Sequence, residues 1–305
     1  MSQPLSHRRA VLLMVVAPTL WSSAGVLTRH LDTAHGVEVT FWRSVFAALF
    51  VAVALLRQGP HVAVRRVAAL GPIGFVSGVM WAIMFCCFMI AMTMTTVANT
   101  LIVMSISPLL TAFLARIFLH QRIVARTMVA IAVAFLGMVW MFAQGVSQVG
   151  GVQLLGMLIA LGVPLAASIN VIVMKQAGAR VDLIPAVLVG GVVSALCMLP
   201  WMFASRVSPH DLAILATLGF FQLGLPCMLM VRAARGLSAP ELSLLALIEV
   251  LLGPLWAWLW AGEVPAGATL AGGALVLAAL VFNELLALGA GGAQADIAAG
   301  SGTLS

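Results

Sequence analysis

Tyrosine is absent from this 305-residue chain, and only 8% of its residues are charged. A soluble domain of this length could not cover its surface with so few charged groups, so that class is excluded. Nine acidic residues against fifteen basic ones leave a net charge of +6. The bases sit in short connections between apolar runs, where membrane topology accounts for them and nucleic-acid binding is not needed. Cysteine is scarce. Cys86, Cys87, Cys197 and Cys227 all fall inside apolar runs, where they read as small hydrophobes rather than as a disulfide framework or a metal site. No HExxH, GxSxG, P-loop or dinucleotide fingerprint occurs, so no nucleophile, metal set or cofactor cradle is evident, and neither a cofactor nor a metal is expected. Asp32, His35 and Glu38 stand three residues apart and could ligate a metal, but their short connection reads better as a solvated loop.

Apolar sequence fills the chain instead: 63% of residues are hydrophobic and the mean hydropathy is +1.16. A first run, roughly Ala10 to Leu27, follows His7-Arg8-Arg9, and nine others cover about 37–56, 67–91, 95–118, 124–143, 151–174, 183–203, 211–233, 239–261 and 267–288. Each approaches the ~20 residues that a helix needs to cross about 30 Å of hydrocarbon. The runs are continuously apolar rather than alternating, which favours helices over barrel strands. The expected fold is an all-α integral membrane protein of ten transmembrane helices, with 289–305 a disordered cytoplasmic tail. The first run resembles a secretory signal, with Ser22-Ser23-Ala24 as small residues; its counterpart in the second half argues that it is retained.

With the N-terminus inside, the cytoplasmic ends hold Arg8, Arg9, Arg57, Arg65, Arg66, Arg116, Arg122, Arg126, Lys175, Arg180, Arg232 and Arg235, and the other side holds Arg29 and Arg206. Twelve against two is a strong positive-inside bias, and one missed or invented helix would scramble it.

The chain also repeats itself. Ser238–Glu263 carries Glu249 near its middle and Pro254 five residues later; Thr96–Arg122, about 142 residues upstream, has the same layout. At that offset Ser107 falls on Glu249, Gln121 on Glu263, and the first run on the sixth. Residues 1–145 and 146–288 then form two five-helix repeats. Five is odd, so the second repeat enters the membrane from the opposite side, the layout of transporters that alternate access about a midplane site.

Two five-helix halves, the Phe41-Trp42-Arg43 element and a central Glu followed by Gly262-Glu263 resemble the drug/metabolite transporter superfamily, EamA type. His120-Gln121 stands where the first half of that pattern has Gly-Glu, and Val250 where the second half has proline. The resemblance implies an inner-membrane secondary carrier, with both termini cytoplasmic, that exports a small metabolite such as an amino acid or related organic compound. Its partners would be that solute, protons as a candidate coupling ion and the lipid bilayer, with no nucleic acid. An intramembrane enzyme or lipid-handling protein is the alternative.

Glu249 leads the candidate site, because an ionisable group at membrane depth is expensive to keep. It serves either as a proton-coupling group or amine counter-charge, or as a neutral lock between helices. Arg43 either binds a substrate carboxylate as a bidentate donor, or snorkels outward or pairs with Glu38. Ser105, Ser107, Asn99, Ser168, Asn170 and Gln222 either line a cavity or hydrogen-bond neighbouring helices. Trp21, Trp81 and Trp256 are candidate aromatic walls, while Trp201, Trp258 and Trp260 suit interface anchoring. Pro18, Pro108, Pro164, Pro226 and Pro254 fall within helices and are candidate hinges. Gly71, Gly74 and Gly78 share one face of the third helix at a packing spacing.

Overall fold

The computed structural model describes residues 5–28, 30–32, 36–95, 97–120, 125–142, 151–178, 181–204 and 207–261, with isolated positions 271, 274–275, 278–279 and 282. Regular structure among the described residues is helical throughout. In the first half these helices are α1 (His7–Trp21), α2 (Ala24–Thr28), α3 (Gly36–Leu56), α4 (Pro60–Ala68), α5 (Gly71–Met94), α6 (Val97–Met104), α7 (Ser107–Phe118) and α8 (Ala125–Phe142). In the second they are α9 (Gly151–Ala160), α10 (Gly162–Ala177), α11 (Ile184–Met198), α12 (Pro209–Thr217), α13 (Leu225–Ala233), α14 (Ala239–Ala246) and α15 (Ile248–Ala261). A 3-10 turn, Leu199–Ala204, ends α11, and a π-helical segment, Leu218–Gly224, joins α12 to α13.

Seven of the ten expected spans are long and apolar enough to cross a membrane: His7–Thr28, Gly36–Leu56, Gly71–Met94, Leu154–Ala177, Ile184–Met202, Pro209–Ala233 and Ala239–Trp260. Ser107–Phe118 and Ala125–Gly137 are apolar but shorter. Within the fourth expected run, α6 and α7 are separated by a turn at Ser105–Ile106. The tenth run and the tail from Gly289 lie almost wholly outside the described residues, as do Gly262 and Glu263.

Helix breaks follow the local chemistry. Between α6 and α7, Ile106 N–H bonds back three residues to Val103 O, and between α14 and α15, Leu247 N–H bonds to Leu244 O. These tightened turns interrupt the regular ladder. Pro108 falls in the first turn of α7, where a missing N–H costs little. Pro164 and Pro226 lie near the starts of α10 and α13 but within the longer helices Leu154–Ala177 and Pro209–Ala233, and Pro226 directly follows the π-helical segment. Pro18 does lie inside α1, four residues before Ser22 and Ser23 separate α1 from α2. Helix α15 runs on through position 254, and the Pro254 side chain lies outside the described residues. At the start of α14, Ser238 Oγ accepts from Glu241 N–H at 3.3 Å while Glu241 Oε2 accepts from Ser238 N–H at 2.7 Å, a capping box.

The most extensive packing joins the first half to the second: α5 against α10 and α11, α3 against α11 and the π-helical segment, α1 against α13, and α7 against α10. Small residues allow the approach. A Cβ on Gly190 would sit 2.4 Å from Trp81 Cβ, and one on Gly219 would sit 2.3 Å from Phe46 Cβ and 2.8 Å from Arg43 O. Gly78 packs the same way: a Cβ there would sit 2.6 Å from Val189 Cγ1. Of the expected glycine face, then, Gly78 meets another helix, Gly74 meets Leu70, and Gly71 takes a positive φ of 58° with open space around it.

Polar contacts gather at the two ends. At one end Arg66 Nε donates to Asp182 Oδ2 at 2.6 Å, Arg235 pairs with Asp182 at 3.7 Å, and Lys175 Nζ donates to the carbonyls of Ala234 and Leu237. Three bases assigned to one side by the charge count thus meet. At the other end of α3, Asp32 N–H donates to Asp211 Oδ1 at 2.9 Å, and His210 Nδ1 lies 3.2 Å from Asp32 Oδ2 and 3.6 Å from Asp211 Oδ1. Asp32 therefore groups with His210 and Asp211; His35 lies outside the described residues.

Candidate functional site

A cavity of about 130 Å³ opens between the two halves, with walls from both. At about 10–15 Å³ of such space per water, it has room for roughly ten small groups, the scale of a small metabolite. Its surface is overwhelmingly apolar, and its chemistry is concentrated in Arg43, Ser107, Gln222, Ser243 and Glu249.

Each polar group is placed by a break or a close approach. Glu249 is the second residue of α15, just past the turn at Leu247, and Ser107 is the first residue of α7, just past the turn at Ile106. The positions matched by the internal repeat therefore open the second segments of two broken helices, and both face one cavity. A helix N-terminus presents unpaired N–H groups and a partial positive charge that favour an anion. Ser107 and Glu249 gain their setting from that geometry. No hydrogen-bond partner reaches the Glu249 carboxylate among the described residues, leaving it free to meet a proton or a solute.

Arg43 does not snorkel: it is 2% exposed. Its Nη1 donates to Met89 Sδ at 3.1 Å and to Gln222 Oε1 at 3.4 Å, and Cζ lies 5.8 Å from the Phe88 ring centroid, within cation–π range. Among the described residues its Nε has no hydrogen-bond partner. Arg43 and Glu249 are near enough for their charges to interact. Gln222 is held in the π-helical segment, a geometry common at functional sites, and Gly219 brings that segment onto the Arg43 backbone.

The expected aromatic walls divide. Trp21 and Trp81 line the cavity. Trp256 instead donates to Ser22 Oγ at 2.6 Å, stacks edge-on with Trp260 at 5.1 Å, and lines a separate crevice. Trp201, Trp258 and Trp260 are exposed. The polar second tier divides as well. Ser168 and Asn170 are buried glue: Thr111 Oγ1 donates to Ser168 Oγ at 3.0 Å, Ser168 Oγ to Ser107 O at 3.2 Å, and Ser77 Oγ to Asn170 Oδ1 at 2.7 Å. Ser105 is buried at the α6–α7 turn, outside the cavity lining. Asn99 lies in α6, with its side chain outside the described residues.

Several lining residues were not anticipated. Met84, Phe85 and Phe88 join Trp81 on one face of α5, and their spacing of three, four and seven residues marks that face in the sequence. Ser243, Cys227 and Met230 also line the cavity. Nothing in their local sequence distinguishes them from ordinary packing residues.

Comparison with known proteins agrees with this architecture. The family model described as the EamA-like transporter family matches residues 8–143 and again residues 154–284. Over 279 residues the chain is 27% identical to a protein named pseudopaline exporter CntI from Pseudomonas aeruginosa strain UCBPP-PA14, and equally to its counterpart from strain PAO1; each match covers 90% of this chain and 95% of the relative. A protein of known crystal structure superposes with a TM-score of 0.75 at 17% identity, over 92% of this chain and 99% of the other, a likeness of fold alone.

Proposed function

Because the chain belongs to the EamA-like transporter family, we propose that it is a secondary carrier that exports a small organic metabolite, such as an amino acid or related compound, by alternating access. The observation that carries this reading is the cavity between the halves, where Arg43 and Glu249 present a fixed cation and a carboxylic acid on apolar walls. A solute bearing both an acid and an amine complements that pair, with its carboxylate on the guanidinium fork and its ammonium toward Glu249.

The rocking units are residues 1–145 and 146–288, two five-helix repeats of opposite orientation within ten transmembrane helices. Reciprocal packing supports this pairing. The contact of α5 with α11 has its repeat-related counterpart in the π-helical segment against α3, and that of α1 with α13 has its counterpart in α10 against α5. The paired breaks before Ser107 and Glu249 support a midplane site built from discontinuous helices. In this reading both termini are cytoplasmic, the membrane is the inner membrane, and Glu249 couples export to protons. The exporter names of the relatives support the direction of transport.

Counterflow tests the proposal. Proteoliposomes preloaded with unlabelled amino acids should accumulate labelled amino acid transiently above equilibrium, because only a carrier shows trans-stimulation. Uptake that ignores the internal load would overturn the reading.

A further inference from the structure

Two cavities stand back to back at the broken first helix. The central one is faced by Trp21 and Glu249; the other, a lateral crevice of about 560 Å³, is lined by Leu20, Ser23, His30 and Trp256. Between them, in the break of that helix, Ser22 Oγ accepts a cross-helix bond from Trp256 Nε1 at 2.6 Å and itself donates to Thr19 O at 2.7 Å.

A helix that stops leaves carbonyls without intrahelical donors, and Trp21 is the last residue of α1. Its carbonyl accepts from Gln222 Nε2 at 3.0 Å. The other end of the same amide, Oε1, accepts from Arg43 Nη1 at 3.4 Å. Gln222 is 3% exposed, so both ends of its side chain are committed: one to the cavity's cation, the other to the backbone beside Ser22.

Resting on the reading of the cavity as a carrier's binding site, we propose that Gln222 couples recognition of an acidic group at Arg43 to opening of the Ser22–Trp256 seam. The bond from Arg43 to a neutral amide at 3.4 Å is long. A cargo carboxylate, or another acidic oxygen group, makes a charge-assisted bond that is shorter and about twice as strong. It displaces Gln222 Oε1 from the guanidinium. The amide then loses the contact that orients it, and its NH₂ leaves the Trp21 carbonyl. With that cap gone, the break between α1 and α2 is free to shift, Ser22 moves off Trp256, and the central cavity joins the lateral crevice. Gln222 acts here as a positioning residue, since the cargo meets Arg43 and the motion occurs at Trp21 and Ser22.

Native thiols report the state of the seam without a ligand. Cys227 is 0% exposed and lines the cavity that Trp21 covers, whereas Cys197 is exposed. The purified full chain is treated with N-ethylmaleimide, and modification of each cysteine is followed by peptide mass, with Cys197 as internal standard. Gln222→Leu removes both bonds at similar volume. Gln222→Glu supplies a carboxylate that holds Arg43 but has no N–H for Trp21. Both should raise the Cys227 rate about tenfold over wild type, the weight of one lost hydrogen bond, with the Cys197 rate unchanged. An unchanged Cys227 rate in the two variants overturns the proposal. Ser22→Ala, which removes the seam's acceptor and leaves Gln222 in place, should expose Cys227 as well; a variant as closed as wild type also overturns it. Failure of the carrier reading shows elsewhere, as absent counterflow in wild-type vesicles with the Cys227 pattern intact.

Discussion

Glu249 and Arg43 are chemically conspicuous, because an ionisable side chain inside an apolar run has few inexpensive explanations. That contrast made both legible in the sequence. Glu249→Gln keeps the size and hydrogen-bonding shape of the group but removes its titration, so flux should lose its dependence on a proton gradient while folded protein stays at normal levels. Unaltered pH dependence of proteoliposome flux would remove Glu249 from coupling. Arg43→Lys keeps the charge but gives up the planar fork that also reaches Gln222 and Met89. Flux of carboxylate-bearing solutes should fall about tenfold, as for loss of a strong paired hydrogen bond, while flux of the corresponding amines is spared; equal effects on both would make Arg43 a structural residue. Hydroxyls and amides were less legible. Ser107 and Gln222 face the cavity whereas Ser168 and Asn170 tie helices together, and both uses call for the same side chain at the same depth.

Among the elements, breaks matter more than kinks. Pro108 and Pro254 are both candidate hinges by sequence, but the second-half interruption lies at Leu247, seven residues before Pro254, in a stretch with neither proline nor glycine. A tightened turn among leucines leaves no compositional mark, so this feature could not be read from the chain. Glycine was read in part: Gly78 serves helix packing as expected, and the closer approaches fall at Gly190 and Gly219. Gly219→Ala would force a Cβ against Phe46 and the Arg43 carbonyl and should destabilise the protein by about 1–3 kcal/mol, seen as a lower melting temperature in detergent. Gly25→Ala, with nothing within 4 Å of its new Cβ, should be neutral or stabilising by up to about 1 kcal/mol. Equal shifts would mean that the π-helical segment is not held against α3 by the missing side chain.

For the whole molecule, membrane character and a helical fold followed directly from composition, while the helix count depends on segments that length alone cannot decide. Parity settles it. Ten crossings return the C-terminus to the side of the N-terminus and seven do not, so a reporter active only in the cytoplasm, fused after Ser305, should be active, as should one fused before Met1. Opposite results at the two ends would exclude an even count. The cavity also sets how the molecule responds to an electric field. With Glu249 ionised, Arg43 and Glu249 cancel; with Glu249 protonated, the same cavity carries one uncompensated positive charge. One elementary charge moved through 100 mV is worth about 2.3 kcal/mol. A zwitterion adds no net charge of its own, so if Glu249 couples transport to protons as proposed, current measured across a vesicle membrane during transport should count those protons.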